Sequence, residues 1–161
     1  MSRRLTFLVA IPIFLLLLLC ALFVVTMRMK YRPVQDRVRR FARDVGNPRV
    51  LETAGQAGAG IAIIRHVGRT SGTVYETPLE AVATEDGFAL ALPYGTRPDW
   101  LKNVLAAGSA VIVRDGAEYP VDRPELVPFA VGNPYFSRSN QLTHRLFGVD
   151  EFMLLRREEP A

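Results

Sequence analysis

Residues 5–27 of this 161-residue chain, LTFLVAIPIFLLLLLCALFVVTM, carry no charged side chain. As a helix rising about 1.5 Å per residue, that run is roughly 35 Å long, enough to cross a hydrocarbon core of about 30 Å with some tilt. Pro12 lies inside it, and lipid tolerates a single proline where neighbouring groups take up the freed carbonyl. The run is longer than the roughly 7–15 apolar residues of a secretory signal, and no A-x-A site follows it. A lipoprotein signal around Leu17-Leu18-Leu19-Cys20 fails too, because the residue before Cys20 is not small and the apolar run continues past it. The expectation is a single-pass anchor in the cell membrane, with the bilayer as partner of residues 5–27.

Arg3 and Arg4 precede the run; Arg28, Lys30, Arg32, Arg37, Arg39 and Arg40 follow it, against Asp36 alone. The heavier basic flank places the C-terminal part on the cytoplasmic side and suits anionic headgroups. This collar explains most of the net charge of +4. No basic stripe recurs later, so nucleic acid is not an expected partner. Cys20, inside the run, is the only cysteine. An intrachain disulfide and a cysteine zinc site are thereby excluded.

Three parts follow: residues 1–30 as anchor with basic flanks, 31–58 as a juxtamembrane helix and linker, and 59–161 as one domain. Val34, Val38, Phe41 and Val45 recur at helical spacing, which suits an amphipathic helix lying on the bilayer or on the domain, and Gly46-Asn47-Pro48 should stop that helix. Residues 52–60 read as loop. Strands are expected over Ile61–Val67, Val74–Thr84 and Phe88–Pro93, the last two joined through Glu85-Asp86-Gly87, with Phe88, Leu90 and Leu92 alternating with alanines. The period then turns helical over Asp99–Ala107, between Pro98 and Gly108. A second hairpin pairs Ala110–Arg114 with Ala117–Val121 through Asp115-Gly116. Beyond it lies a proline-bearing mixed segment, and residues 151–156 suit a closing strand or a last helical turn. Four or five strands at hairpin spacing with one inserted helix predict a small antiparallel barrel. Parallel βαβ units need more crossover helices than the chain supplies.

Gly68-Arg69-Thr70-Ser71-Gly72 follows a strand directly. Two glycines permit positive φ at its edges, Arg69 brings a rigid fork of donors, and the hydroxyls and loop amides can converge on an anion such as phosphate. Its spacing is not that of a Walker loop. An ordinary hairpin turn with an exposed arginine suits the same residues, and the pattern alone leaves both open. In Leu92-Pro93-Tyr94-Gly95 and Arg97-Pro98-Asp99-Trp100-Leu101-Lys102-Asn103 a strand bends into a helix whose N-terminus is a second anion-compatible feature. There Trp100 suits a core plug and Asn103 a surface residue or an amide tie between helix and strand. His66 and His144 form no metal-ligand spacing, and no Gly-x-Ser-x-Gly elbow is present.

Taken together, His66 to Gly72, Tyr75-Glu76-Thr77-Pro78-Leu79, Asp86-Gly87, Leu92 to Gly95 and Asp99 to Gly108 resemble, in order and spacing, the deazaflavin-dependent nitroreductase family of actinobacteria. The resemblance spans about residues 63–121. It implies a mainly β (α+β) fold, a split β-barrel of the flavin-reductase-like type, here preceded by one transmembrane helix. It also implies 8-hydroxy-5-deazaflavin (coenzyme F-420) as cofactor, ahead of FMN, and hydride transfer to a quinone, nitro or other lipophilic acceptor. By the same resemblance Arg69, Thr70, Ser71 and Gly72 hold the cofactor phosphate. Thr77, Pro78, Leu92, Pro93, Tyr94 and Gly95 line its ring, and Trp100 and Asn103 close the tail end. Pro93 and Tyr94 depart from the best-known branch, which has a hydroxyl residue and a basic residue there, and residues 127–155 lack its tyrosine-rich region. Tyr75, Tyr94, Tyr135 and solvent all remain as proton sources, so no catalytic residue is assigned. A homodimer is compatible with such barrels. The alternative is a non-catalytic module that binds deazaflavin, flavin or lipid at the membrane, or a scaffold whose turn is structural.

Overall fold

The computed structural model describes residues 3–158, with side chains in the first helix described from Ala10 onward. Helix α1 (Arg3–Arg28) is continuous through Pro12. Its Ala10–Arg28 stretch has a mean hydropathy of 2.9 and is 6% buried, so it is long and apolar enough to cross a membrane and stands almost free of the rest. Lys30 turns the chain at φ 53° into α2 (Arg32–Phe41), which opens on Pro33.

Gly46-Asn47-Pro48 does not stop this helix, contrary to expectation. A π-helical turn, Ala42–Gly46, carries the backbone into α3 (Asn47–Leu51). Pro48 follows the π turn directly, where the Asn47 N–H reaches back to the Ala42 carbonyl, and such a break in the regular i→i+4 ladder is where a helix admits a proline that has no N–H to donate.

Seven strands follow: β1 (Ala62–Val67), β2 (Val74–Leu79), β3 (Ala81–Ala83), β4 (Gly87–Ala91), β5 (Ser109–Arg114), β6 (Ala117–Pro128) and β7 (Glu151–Arg157). They form one sheet in the order β2-β1-β5-β6-β7-β4-β3, with every pair antiparallel. The two edges, β2 and β3, are consecutive in the chain with only Glu80 between them. The stretch expected as one strand, Val74–Thr84, therefore bends at Glu80 and serves both edges, rolling the sheet into the split β-barrel that the resemblance implies. Pro78 is tolerated because β2 is an edge strand.

The strand count exceeds the expected four or five for physical reasons. A corner leaves no mark on an alternating pattern. Beyond Val121, β6 continues because a bulge between Asp122 and Glu125, with Arg123 at φ 49°, lets Pro124 occupy the strand. Residues 151–157 form a strand, not a helical turn, inserted between β6 and β4.

Helix α4 (Asp99–Ala107) has the expected bounds and ends on a left-handed Gly108. The mixed segment holds α5 (Phe129–Gly132), a 3-10 turn (Asn133–Tyr135) and α6 (Arg138–Phe147). The Ser137 hydroxyl caps α6 by accepting from the Asn140 N–H at 3.3 Å. Phe88, Leu90 and Leu92 fill the barrel with Ile64, Leu101, Val104, Ile112 and Met153. Ala89 faces outward into a second cluster with Val127, Phe136 and Phe152 beneath α5 and α6. The alternation of large residues with alanines in β4 thus separates two cores.

Candidate functional site

The Gly68–Gly72 turn is tied within itself: the Gly68 N–H donates to the Thr73 carbonyl at 2.8 Å and the Gly72 N–H to the Gly68 carbonyl at 2.9 Å. Only Gly72 has positive φ, +67°. Gly68 serves a different need, because a Cβ there would lie 2.5 Å from Ser71 Oγ and 2.8 Å from the Tyr75 ring.

Arg69 projects from this turn onto α4. Its backbone N–H and its Nη1 both donate to Asn103 Oδ1, at 3.2 and 2.8 Å, and its Nη2 donates to Asp99 Oδ1 at 3.2 Å. Asn103 is 5% exposed. With its oxygen held by Arg69, its amide nitrogen faces His66 Nδ1 at 3.2 Å. A donor there requires Nδ1 to accept, so the His66 proton sits on Nε2, 3.3 Å from Thr77 Oγ1. Burial pushes the His66 pKa below its ordinary value, in keeping with this neutral tautomer. The chain of contacts runs Arg69, Asn103, His66, Thr77, and the Thr77 hydroxyl keeps its own proton for a further partner.

These residues border one cavity of about 870 Å³. Of the residues singled out in the sequence, Arg69, Thr70, Ser71, Thr77 and Pro78 line it from the turn and β2. Leu92, Pro93 and Tyr94 line it from the loop after β4, and Trp100 and Asn103 from α4. Gly72 and Gly95 are outside the lining and shape the two turns through positive φ. Trp100 is half-buried and also packs on the barrel core, so the core-plug reading and the site reading describe the same side chain. Burial raises the Tyr94 phenol above its ordinary pKa.

Sequence reasoning missed two walls of this cavity. Arg39 and Arg40 of α2 and Arg43 of the π-helical turn form one; their spacing along a helix was visible, but a basic collar beside an apolar run reads as lipid-facing. Their helix is fastened by Arg97, whose Nη1 donates to Asp36 Oδ1 at 3.0 Å and whose Nη2 donates to the buried Gln35. Thr143, His144 and Phe147 of α6 form the other. The two histidines, 78 residues apart in the sequence, thus border one space. His144 Nδ1 lies 2.9 Å from Asn133 Oδ1, and burial lowers its pKa as well. At the barrel corner, burial raises the Glu80 carboxyl pKa against the opposing hydrogen bond from Asn140. Among the described residues no cluster of His, Cys, Asp and Glu is arranged to hold a metal ion.

No protein-family model and no curated protein matches the chain. Similar solved structures include an F420 reductase at 12% identity and TM-score 0.47, covering 62% of this chain and 86% of that one. They also include an F420-H2 dependent reductase at 15% identity and TM-score 0.40, covering 62% and 94%. A third is HutZ, the heme storage protein from Vibrio cholerae, at 10% identity and TM-score 0.46, covering 70% and 90%.

Proposed function

We propose that this protein is a membrane-anchored oxidoreductase that binds a reduced deazaflavin of the coenzyme F-420 type and passes its hydride to a lipophilic acceptor such as a quinone or nitro compound. The observation that carries the reading is the convergence, on one cavity, of ten residues from the motifs that resemble the deazaflavin-dependent family. The volume suits a tricyclic ring with part of a phosphorylated tail. Two of Arg69's five N–H donors are used, by Asn103 and Asp99; the other three are available to a phosphate. Thr70 and Ser71 add hydroxyls beside it.

The bound cofactor supplies the hydride; the chain supplies position and a proton. Asn103 Oδ1 accepts from both the Arg69 backbone N–H and its Nη1, fixing the turn and the fork together, so an anion meets a preset donor array. Thr77 offers a hydroxyl toward the ring space, held by His66. Tyr94, in the cavity lining with its phenol pKa raised by burial, is the proton source we assign; Tyr75 also lines the cavity, whereas Tyr135 lies outside the lining. Helix α1 holds the site at the cytoplasmic face of the cell membrane, where apolar acceptors concentrate.

The test is a fluorescence titration of Trp100, the single tryptophan, in the full chain reconstituted in lipid nanodiscs, with coenzyme F-420 beside FMN. Saturable quenching by the deazaflavin, followed by oxidation of its reduced form with a quinone, supports the enzyme reading. Binding without turnover leaves a deazaflavin-binding module. Preference for FMN moves the chemistry to flavin, and binding of neither removes the cofactor reading.

A further inference from the structure

Helix α6 has two faces with different surroundings. Thr143, His144 and Phe147 face the cavity. Leu142 and Leu146, one turn apart, are 65% and 52% exposed, and Arg138 lies one turn before Leu142 on the same stripe. Arg145 flanks the stripe, its guanidinium 5.9 Å from the Phe129 ring centroid. From Phe129 to Phe147 the chain has no acidic residue, and Val131 and Tyr135 on the preceding short helices are also exposed. Two leucines bordered by arginines, with no carboxylate among them, have the make-up of an interfacial helix: apolar side chains enter the acyl boundary while the arginine heads stay at the phosphates.

The contacts with α1 set the depth of this face. Phe147 packs edge-on against Phe23 at 6.2 Å between centroids. Arg28 donates to the Arg145 carbonyl, and Lys30 pairs with Asp150. A Cβ at Gly148 would come within 3.2 Å of the Arg28 carbonyl oxygen, so the end of α6 is pressed directly against the end of α1. Phe23 belongs to the apolar run and Arg28 is the first charge after it. The end of α6 therefore lies at the level where that run leaves the hydrocarbon.

We infer that the outer face of α6, centred on Leu142 and Leu146 and bordered by Arg138 and Arg145, is a lipid-contact surface that lies in the headgroup–acyl boundary of an anionic membrane. It rests on the reading of α1 as an anchor. It makes α6 a shared wall, with lipid on one side and the cavity on the other, and gives the domain a fixed tilt on the bilayer.

The test uses the full chain in phosphatidylcholine–phosphatidylglycerol vesicles carrying nitroxide phospholipids. An environment-sensitive fluorophore is placed on Cys20, or on Leu142→Cys in a Cys20→Ala background. The Cys20 probe reports the anchor: quenching by a nitroxide deep in the acyl chain is expected. For Leu142→Cys the expectation is a blue-shifted emission quenched most strongly by a nitroxide near the headgroup, weakened in vesicles of phosphatidylcholine alone. A quenched Cys20 probe with a water-like, unquenched Leu142→Cys probe overturns the surface and leaves the anchor. A blue-shifted Leu142→Cys probe that lipid nitroxides do not quench also overturns it, because a second copy of the chain then covers α6. No quenching at either position overturns the anchor and the surface together.

Discussion

Arg97, on the loop leaving β4, holds Asp36 of α2 at 3.0 Å across 61 residues of chain. This pair joins the segment beside the apolar helix to the loop that carries Pro93 and Tyr94. Being partly exposed, it adds only on the order of 0.5 kcal/mol to global stability. It fastens α2, whose Arg39 and Arg40 line the cavity, to that loop. Asp36→Ala should leave the melting midpoint of the domain nearly unchanged while amide hydrogen exchange rises across residues 32–46. Unchanged exchange there would show that other contacts hold α2.

Arg69 and Asn103 touch each other but should separate by phenotype. Arg69→Ala removes a charge-assisted donor set, with a loss of about 2 kcal/mol in anion binding, roughly thirtyfold in deazaflavin affinity, and a small change in thermal stability. Asn103→Ala strips partners from a buried histidine and from the Arg69 N–H and should cost about 1–3 kcal/mol of folding stability. Chemical denaturation beside cofactor titration distinguishes them. A purely structural turn would give the opposite ranking.

Acidification should weaken the fold before the ordinary carboxylate range is reached. His66 and His144 have folded-state pKa values lowered from 6.5 by burial, so the unfolded chain takes up protons that the folded chain does not. The stability linked to them is fully present above about pH 6.5 and is lost as pH falls through their folded pKa values. Glu80 has the opposite sign: burial raises its carboxyl above 4.5, so protonation favours the folded state. Glu80→Gln should therefore steepen the acid loss. Urea midpoints measured between about pH 8 and pH 5 check both slopes.

Tyr94→Phe removes the phenol but keeps its ring. Deazaflavin affinity should hold, while the rate of acceptor reduction falls about 10²-fold or more if this hydroxyl is the positioned proton source. A rate unchanged in Tyr94→Phe assigns the proton to solvent or to Tyr75.

Phe152 lies between the sheet and the α5–α6 cover, fully buried and edge-on to Phe129 at 6.1 Å and His144 at 5.3 Å. Phe152→Ala should cost about 3–5 kcal/mol of stability, read from denaturant melts. A loss below 1 kcal/mol would mean that the outer cluster collapses onto the gap.

Sequence periodicity carried the barrel further than it carried the site's surroundings. Alternation in Phe88–Leu92, the Asp115-Gly116 turn and the Pro98-to-Gly108 helix frame are local signals, and each element stands where those signals put it. The Glu80 corner, the bulge at Asp122–Glu125 and the insertion of β7 between β6 and β4 depend on long-range pairing, which no local pattern records. The same holds at the site. Motif residues in loops were legible because loop chemistry is written in residue type. The walls from α2, the π turn and α6 were not, because Arg39, Arg43 and His144 come to border the same cavity as Arg69 only through folding. The helical cap of α6, Ser137 three residues before Asn140, was a readable signal among the prolines.

The single residue between β2 and β3 also makes the barrel check its own alignment. Ala81 points into the inner core and Val82 packs in the outer one. A one-residue slip of β2 along β1 would drag β3 with it and exchange those two side chains between compartments, besides inverting β2 itself. Misregistration at one edge is thereby penalised at the other, so the seam of the cylinder acts as a proofreading joint for the sheet.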